Sequence, residues 1–182
     1  GPTADLRVRQ AMNIAINRDA IKQVVMREQS DPTGVIMPPF VNGWTPALND
    51  YPAYDLDKAK GLMAEAGYAD GFDITLNCPN DRYINDESIC QAAVGMMGQI
   101  GINVTLDAKP KAHHFPFIKG GDSDFYMLGW GVPTFDSHYI FNFLVHSRTG
   151  DRGSWNPTGY SDSAVDQMIV SLESETDLAT RD

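Results

Sequence analysis

Cysteine, cationic charge and long apolar runs are all scarce in this sequence, and each scarcity excludes something. The two cysteines, Cys78 and Cys90, are too few for a structural zinc site and too far apart for a CxxC redox pair. Either a single bridge or two buried thiols fits them, and the apolar faces on which both fall favour the thiols. Fourteen Lys and Arg stand against 24 Asp and Glu, a net charge of -10 that repels nucleic acid and anionic membrane alike. No nucleic-acid partner is therefore expected. No apolar run approaches the roughly 20 residues of a membrane-spanning helix, and the amino end shows no charged, then apolar, then small-residue signal pattern. The strong enzyme motifs are also missing: there is no GxSxG elbow, Walker loop, GxGxxG turn or HExxH pair. His113 and His114 are adjacent, so their side chains diverge, and no nearby pair has ligand spacing. Neither a metal nor a cofactor is expected, and His138 and His146 read as surface or partly buried histidines.

What is present is organised around Phe72 to Ala108. In FDITLNC the apolar residues Phe72, Ile74, Leu76 and Cys78 fall on every second position, the period of a strand with one buried face. After the polar loop PNDRYIND, Ile89, Ala93, Met96, Met97 and Ile100 recur at three and four residue steps, which is one face of a helix. Asp86 is placed to cap that helix and Gly101 to end it in the left-handed conformation. INVTLDA then alternates again. Strand, crossover helix and strand make a βαβ unit with parallel strands, and ligands of such units sit outside the carboxyl ends of the strands. Here that place is the loop Pro79 to Asn85, which holds Arg82, a planar fork of donors suited to a carboxylate. On its own the loop also allows Arg82 to pair with Asp81 or Asp86 as a weak surface ion pair.

The rest of the chain reads as helices and turns around that unit. Ala4 to Arg27 is two helical pieces, the first capped by Asp5 and the second by Asn17, with Ile21, Val24 and Val25 buried. Asp31 to Tyr54 carries five prolines and two glycines and is loop, ordered by Phe40 and Trp44. Asp55 starts a helix with Ala59, Leu62, Met63 and Ala66 on one stripe, stopped by Gly67. Lys109 to Gly121 is broken by Pro110 and Pro116 into a short helix between turns. DFYMLGW, apolar on both faces, is expected as a third strand in the middle of a mixed sheet. A helix from about Ser137 turns Tyr139, Ile140, Phe143 and Leu144 inward, and Ser161 caps a last helix with Val165, Met168, Ile169 and Leu172 on one stripe. Asp136, Asp151, Asp162 and Asp166 lie near turns and helix starts, where capping is their default use. Trp130, Tyr139 and Trp155 would add rings to the sheet's carboxyl edge, and rings beside an arginine suit a small organic solute with a charged end. Asp177 to Asp182 is polar with no closing element, so the chain is expected to be a piece of something longer. The fold class is α/β with flanking helices.

Several strings also match one family in order: LRVRQAMNIAINRDAI, YDLDKAKGLMAEAGYADGFDITL, IGINVTL, DFYMLGW and GYSDSAVDQMI. Over Asp5 to Arg181 the chain resembles the carboxyl-terminal lobe of the solute-binding proteins of peptide-type ABC importers. The resemblance implies that residues 1–182 are a single lobe of a two-lobe protein whose second lobe belongs to the same, longer chain. It implies a periplasmic or cell-surface receptor, free or membrane-anchored, that captures a peptide or peptide-like solute and passes it to the permease subunits of an ABC importer. In dipeptide-binding relatives an arginine three residues after the proline of this loop grips the ligand carboxylate, and Pro79 with Arg82 keeps that pattern. The same relatives hold the ligand's amino group with an aspartate three residues after the tryptophan of the GW motif, where this chain has Pro133. Asp136 matches another commonly acidic position. The expected ligand-binding set is thus Arg82, Tyr83, Trp130, Asp136 and Tyr139, with no catalytic residue. The alternative, a hydrolase or other enzyme on a similar α/β frame, would be recognised by peptide turnover.

Overall fold

A computed structural model describes residues 1–181. The chain divides into two compact units, one made of Gly1–Pro32, Tyr51–Pro116 and Ser123–Leu128, the other of Thr33–Asp50, Phe117–Asp122 and the chain from Gly129 onward.

In the first unit, helix α1 (Leu6–Ala15) begins where the Asp5 side chain accepts the Arg7 amide at 2.8 Å. Its Val8, Ala11, Met12 and Ala15, three and four residues apart, are buried on one face. Asn17 caps α2 (Arg18–Ala20) through the Ala20 amide, and the chain runs on as a π-helical turn, Ile21–Val25. The buried face expected there does not form: Val24 is 77% exposed and none of the five is buried. The wider i→i+5 turn takes these residues off the helical period on which that face was counted. Helix α3 (Leu56–Glu65), capped by Asp55 onto the Lys58 amide, packs Ala59 and Met63 into the same core as α1, and Gly67 ends it at φ 85°.

The expected βαβ unit follows as β1 (Phe72–Pro79), α4 (Asp86–Gly98) and β2 (Ile102–Lys109). The strands are parallel and in register from Phe72 beside Ile102 to Pro79 beside Lys109. Two glycines let them start side by side: Gly71, at φ 75°, lies so close to Gly101 that a Cβ would run into the Gly101 carbonyl oxygen. Met97, Ile100 and Ile102 close the core under α1 and α3, while Leu76, Cys78 and Cys90 form a second cluster toward the end of β1.

The α/β class is as expected, but the sheet is smaller than the alternation suggested. Among the described residues it has two strands, both parallel, rather than a mixed three-stranded core. In place of a third strand at 124–130, Tyr126 alone bridges Asn77, with Asn77 N donating to Phe125 O and Met127 N to Asn77 O, each at 2.9 Å. The pairing goes no further because the next donor of the ladder would be the amide of Pro79, which has none; the Met127 carbonyl, 2.9 Å from His114 Nε2, accepts from the imidazole instead. A second correction concerns the cysteines. Cys78 and Cys90 are joined by a disulfide, with their Cα atoms 6.6 Å apart and Met127 Sδ 3.7 and 3.6 Å from the two sulfurs. The burial on apolar faces holds, at 0% and 2% exposure, but a disulfide is itself apolar, and the crossover carries α4 across the end of β1 within bridging distance.

Helix α5 (Lys111–Gly120) runs through Pro116, and Pro110 sits just ahead of its first turn, where a missing N–H costs nothing. One of the boundaries between the units falls at Pro116. In the second unit α6 (His138–Ile140) continues as a π-helical turn, Phe141–Val145. Met37, Val41, Val132 and Ile140 form its core, with Trp44, Trp130, Tyr139 and Leu144 packed on them. Trp44 therefore helps order the proline-rich loop as expected, whereas Phe40 is 67% exposed, its ring edge to face with Phe135. Helix α7 (Ser163–Ser171) is capped by Asp162, not Ser161: its Oδ1 accepts the Ala164 and Val165 amides. Of the stripe expected on α7, Ile169 is buried and Met168 is exposed. A short α8 (Leu178–Arg181) occupies the tail where no element was expected, and Asp182 lies outside the described residues. Among the described residues no helix is long and apolar enough to cross a membrane, and no cluster of His, Cys, Asp or Glu could hold a metal ion.

Candidate functional site

The loop carrying Arg82 and Tyr83 leaves the carboxyl end of β1 and is pinned by bonds between polar side chains and backbone groups. Asn80 N donates to Lys109 O at 3.2 Å, and Asp81 Oδ1 accepts the Lys111 amide at 2.6 Å. Asn85, in the left-handed region at φ 56°, donates from Nδ2 to Val25 O at 3.0 Å. Asp86 does the most. Its Oδ2 accepts the amides of Arg82 and Tyr83, and its Oδ1 accepts that of Glu87, all at 2.9 Å. Asp86 was expected as the N-cap of α4; the cap position is Asn85, whose side chain makes no capping bond to the helix amides, and Asp86 is the first helical residue, turned back onto the loop. Burial pushes the Asp86 carboxyl upward, but the amides of Tyr83, Arg82 and Glu87 outweigh it and hold it below the ordinary carboxylate range.

With both acids engaged by backbone amides, the Arg82 guanidinium makes no ion pair among the described residues. The surface pair with Asp81 or Asp86 that the loop allowed is not formed. Arg82 is exposed, its guanidinium lying 5.1 Å over the Tyr83 ring. An arginine stacked on a ring and open to solvent presents its remaining N–H fork to a planar anion, and a carboxylate matches that fork bidentately.

The other expected residues belong to the second unit. Trp130 and Tyr139 are neighbours, ring centroids 5.9 Å apart, and Phe143 and Trp155 complete the aromatic group at 4.8 Å from Tyr139 and 5.7 Å from Trp130. Lys119 Nζ stands 4.6 Å over the Trp155 ring. Asp136 already has a cation from its own chain: Oδ1 accepts from Arg181 Nη2 at 2.6 Å and from the His138 amide at 2.9 Å, with Asn42 Nδ2 3.4 Å from Oδ2. Burial raises the Asp136 carboxyl, and the Arg181, His138 and Asn42 donors lower it further, to a net position below the ordinary value. The structure thus brings Arg82 and Tyr83 together in the first unit and Trp130 and Tyr139 together in the second. Asp136 it ties to Arg181. Sequence reasoning missed the clasp made by Asp86 and the Arg181 partner; the signal for the first is an acceptor four residues after Arg82 in a loop without regular structure, and for the second there is none.

Residues 1–152 match the bacterial extracellular solute-binding proteins, family 5, middle region, and the chain belongs to that family. It is 28% identical over 175 residues to the glutathione-binding protein GsiB of Salmonella choleraesuis (strain SC-B67), covering 93% of this chain and 33% of that protein. Among solved structures it is similar to a dipeptide-binding protein from Pseudoalteromonas sp. SM9913 in complex with Met-Leu, with a TM-score of 0.88 and 28% identity over 98% of this chain and 35% of that one. It is also similar to the binding protein AgaA from A. tumefacien R10 in complex with agropinic acid, with a TM-score of 0.85 and 26% identity over 99% of this chain and 36% of that one. The chain therefore spans about a third of the length of these relatives. The family and these relatives are binding proteins rather than enzymes.

Proposed function

We propose that this chain is one lobe of the substrate-binding component of an ABC importer, which captures a peptide or peptide-like solute outside the bacterial cytoplasm and delivers it to membrane permease subunits. The observation that carries the reading is Arg82: an exposed guanidinium at the carboxyl end of a parallel strand, stacked on Tyr83 and paired with no acid among the described residues. Arg82 grips the negative end of the solute and Tyr83 keeps its guanidinium in plane. The ligands of the relatives, glutathione, Met-Leu and agropinic acid, are all carboxylic acids, which is the chemistry this fork accepts.

Titration of the intact protein with Met-Leu and with glutathione, wild type beside Arg82→Ala, tests the reading. Removing a charge-assisted partner should weaken binding by about 2 to 5 kcal/mol. Unchanged affinity would make the arginine only a surface charge. Recovering the peptides after long incubation separates receptor from hydrolase, since a receptor returns its ligand intact.

A further inference from the structure

We infer that Asp86 is a positioning residue for the Arg82–Tyr83 pair: its carboxylate clasps the loop amides inside a ring of chain closed by the Cys78–Cys90 bridge, and so presets the pose of the guanidinium. The inference rests on the reading of Arg82 given above. Packing holds little of this loop: Tyr83 is half-buried, but Asn80, Asp81, Arg82 and Asn85 are exposed and Ile84 is 78% exposed. Polar bonds carry most of the rest. Asp86 supplies three of them from one side chain that is only 5% exposed, two to the amides of the very residues that face the solute. The disulfide joins the two ends of the segment, one at β1 and one in α4, so the clasp acts on a loop whose ends are already fixed. A carboxylate accepting several amides is stronger than neutral hydrogen bonds would be, and a guanidinium ordered before the solute arrives spares the cost of ordering it on capture.

The test compares Asp86→Ala and Asp86→Asn with Asp55→Ala in the intact protein. Asp55→Ala removes a cap of the same chemistry from α3 in the same unit, and so reports what loss of a structural aspartate does by itself. Amide hydrogen exchange at Arg82 and Tyr83 should accelerate about tenfold or more in Asp86→Ala, by a smaller factor in Asp86→Asn, which keeps one neutral oxygen, and not at all in Asp55→Ala. Affinity for Met-Leu should fall about tenfold or more in Asp86→Ala and stay level in Asp55→Ala. Unchanged exchange at Arg82 and Tyr83 overturns the inference; so does faster exchange with undiminished affinity, provided Arg82→Ala does weaken binding. Should Asp86→Ala fail to fold, Asp86→Asn decides by the same two criteria. If Met-Leu does not bind, or if Arg82→Ala binds it as well as wild type, the reading of Arg82 fails separately and exchange rates alone judge the clasp.

Discussion

Reducing the Cys78–Cys90 bridge perturbs the protein with almost no change of atoms, so its effect can be worked out. The bridged residues are 12 apart in sequence. For a ring of that length the loop-entropy relation gives a loss of roughly 10 cal/mol/K, or about 3 kcal/mol at 25 °C. Little opposes or enlarges that figure, because both sulfurs are buried against Met127 and the thiols that replace them remain apolar and in place. Urea unfolding followed by far-ultraviolet circular dichroism, with and without dithiothreitol, measures it. With a slope of about 2 kcal/mol/M the midpoint should fall by about 1.5 M on reduction. The double variant Cys78→Ala/Cys90→Ala should lose somewhat more, since it also deletes buried sulfur. Coincident midpoints for the oxidised and reduced protein would refute the entropic argument. Two titratable thiols in the unfolded, unreduced protein would refute the bridge.

Two further outcomes follow from close backbone and charge contacts. Gly71→Ala should destabilise the chain by about 2 kcal/mol or more, because it adds a carbonyl clash to a left-handed backbone, while Gly101→Ala, at a similar φ but with only ordinary contacts, should cost about 1 kcal/mol; thermal melts giving equal losses would rule out the clash. Arg181→Ala should cost about 2 kcal/mol at pH 7, the worth of a hydrogen bond to a charged group. The folded Asp136 carboxyl lies below its ordinary value, so the stability it confers is complete above the unfolded pKa, near 4, and is lost as pH falls through the lower folded value. The gap between wild type and Arg181→Ala should therefore close at acid pH, and a gap that stays constant down to pH 2.5 would mean that Asp136 is not the partner.

Local rules carried the amino-acid sequence a long way. Periods of two and of three to four residues place β1, α4 and β2 and their parallel pairing, because each apolar face needs only one covering layer and the connection is long enough for a crossover. The caps Asp5, Asn17 and Asp55 and the terminator Gly67 were legible for the same reason: each acts on amides or carbonyls within four residues of itself. Arg82 at the end of β1 was legible from strand direction and from family resemblance together. What the tertiary structure alone decided involves partners far apart in sequence. Whether Cys78 and Cys90 are thiols or a bridge depends on how α4 crosses β1, and whether 124–130 becomes a strand depends on the stretch of β1 it meets, where Pro79 has no amide to offer Met127 O and His114 fills that acceptor instead. Asp136 read as a cap or a ligand-binding acid until α8 brought Arg181 to it across 45 residues. Asp86 looked like a cap until the loop folded back over it, because a carboxylate accepts amides from either side with equal ease and only the path of the chain determines which ones arrive.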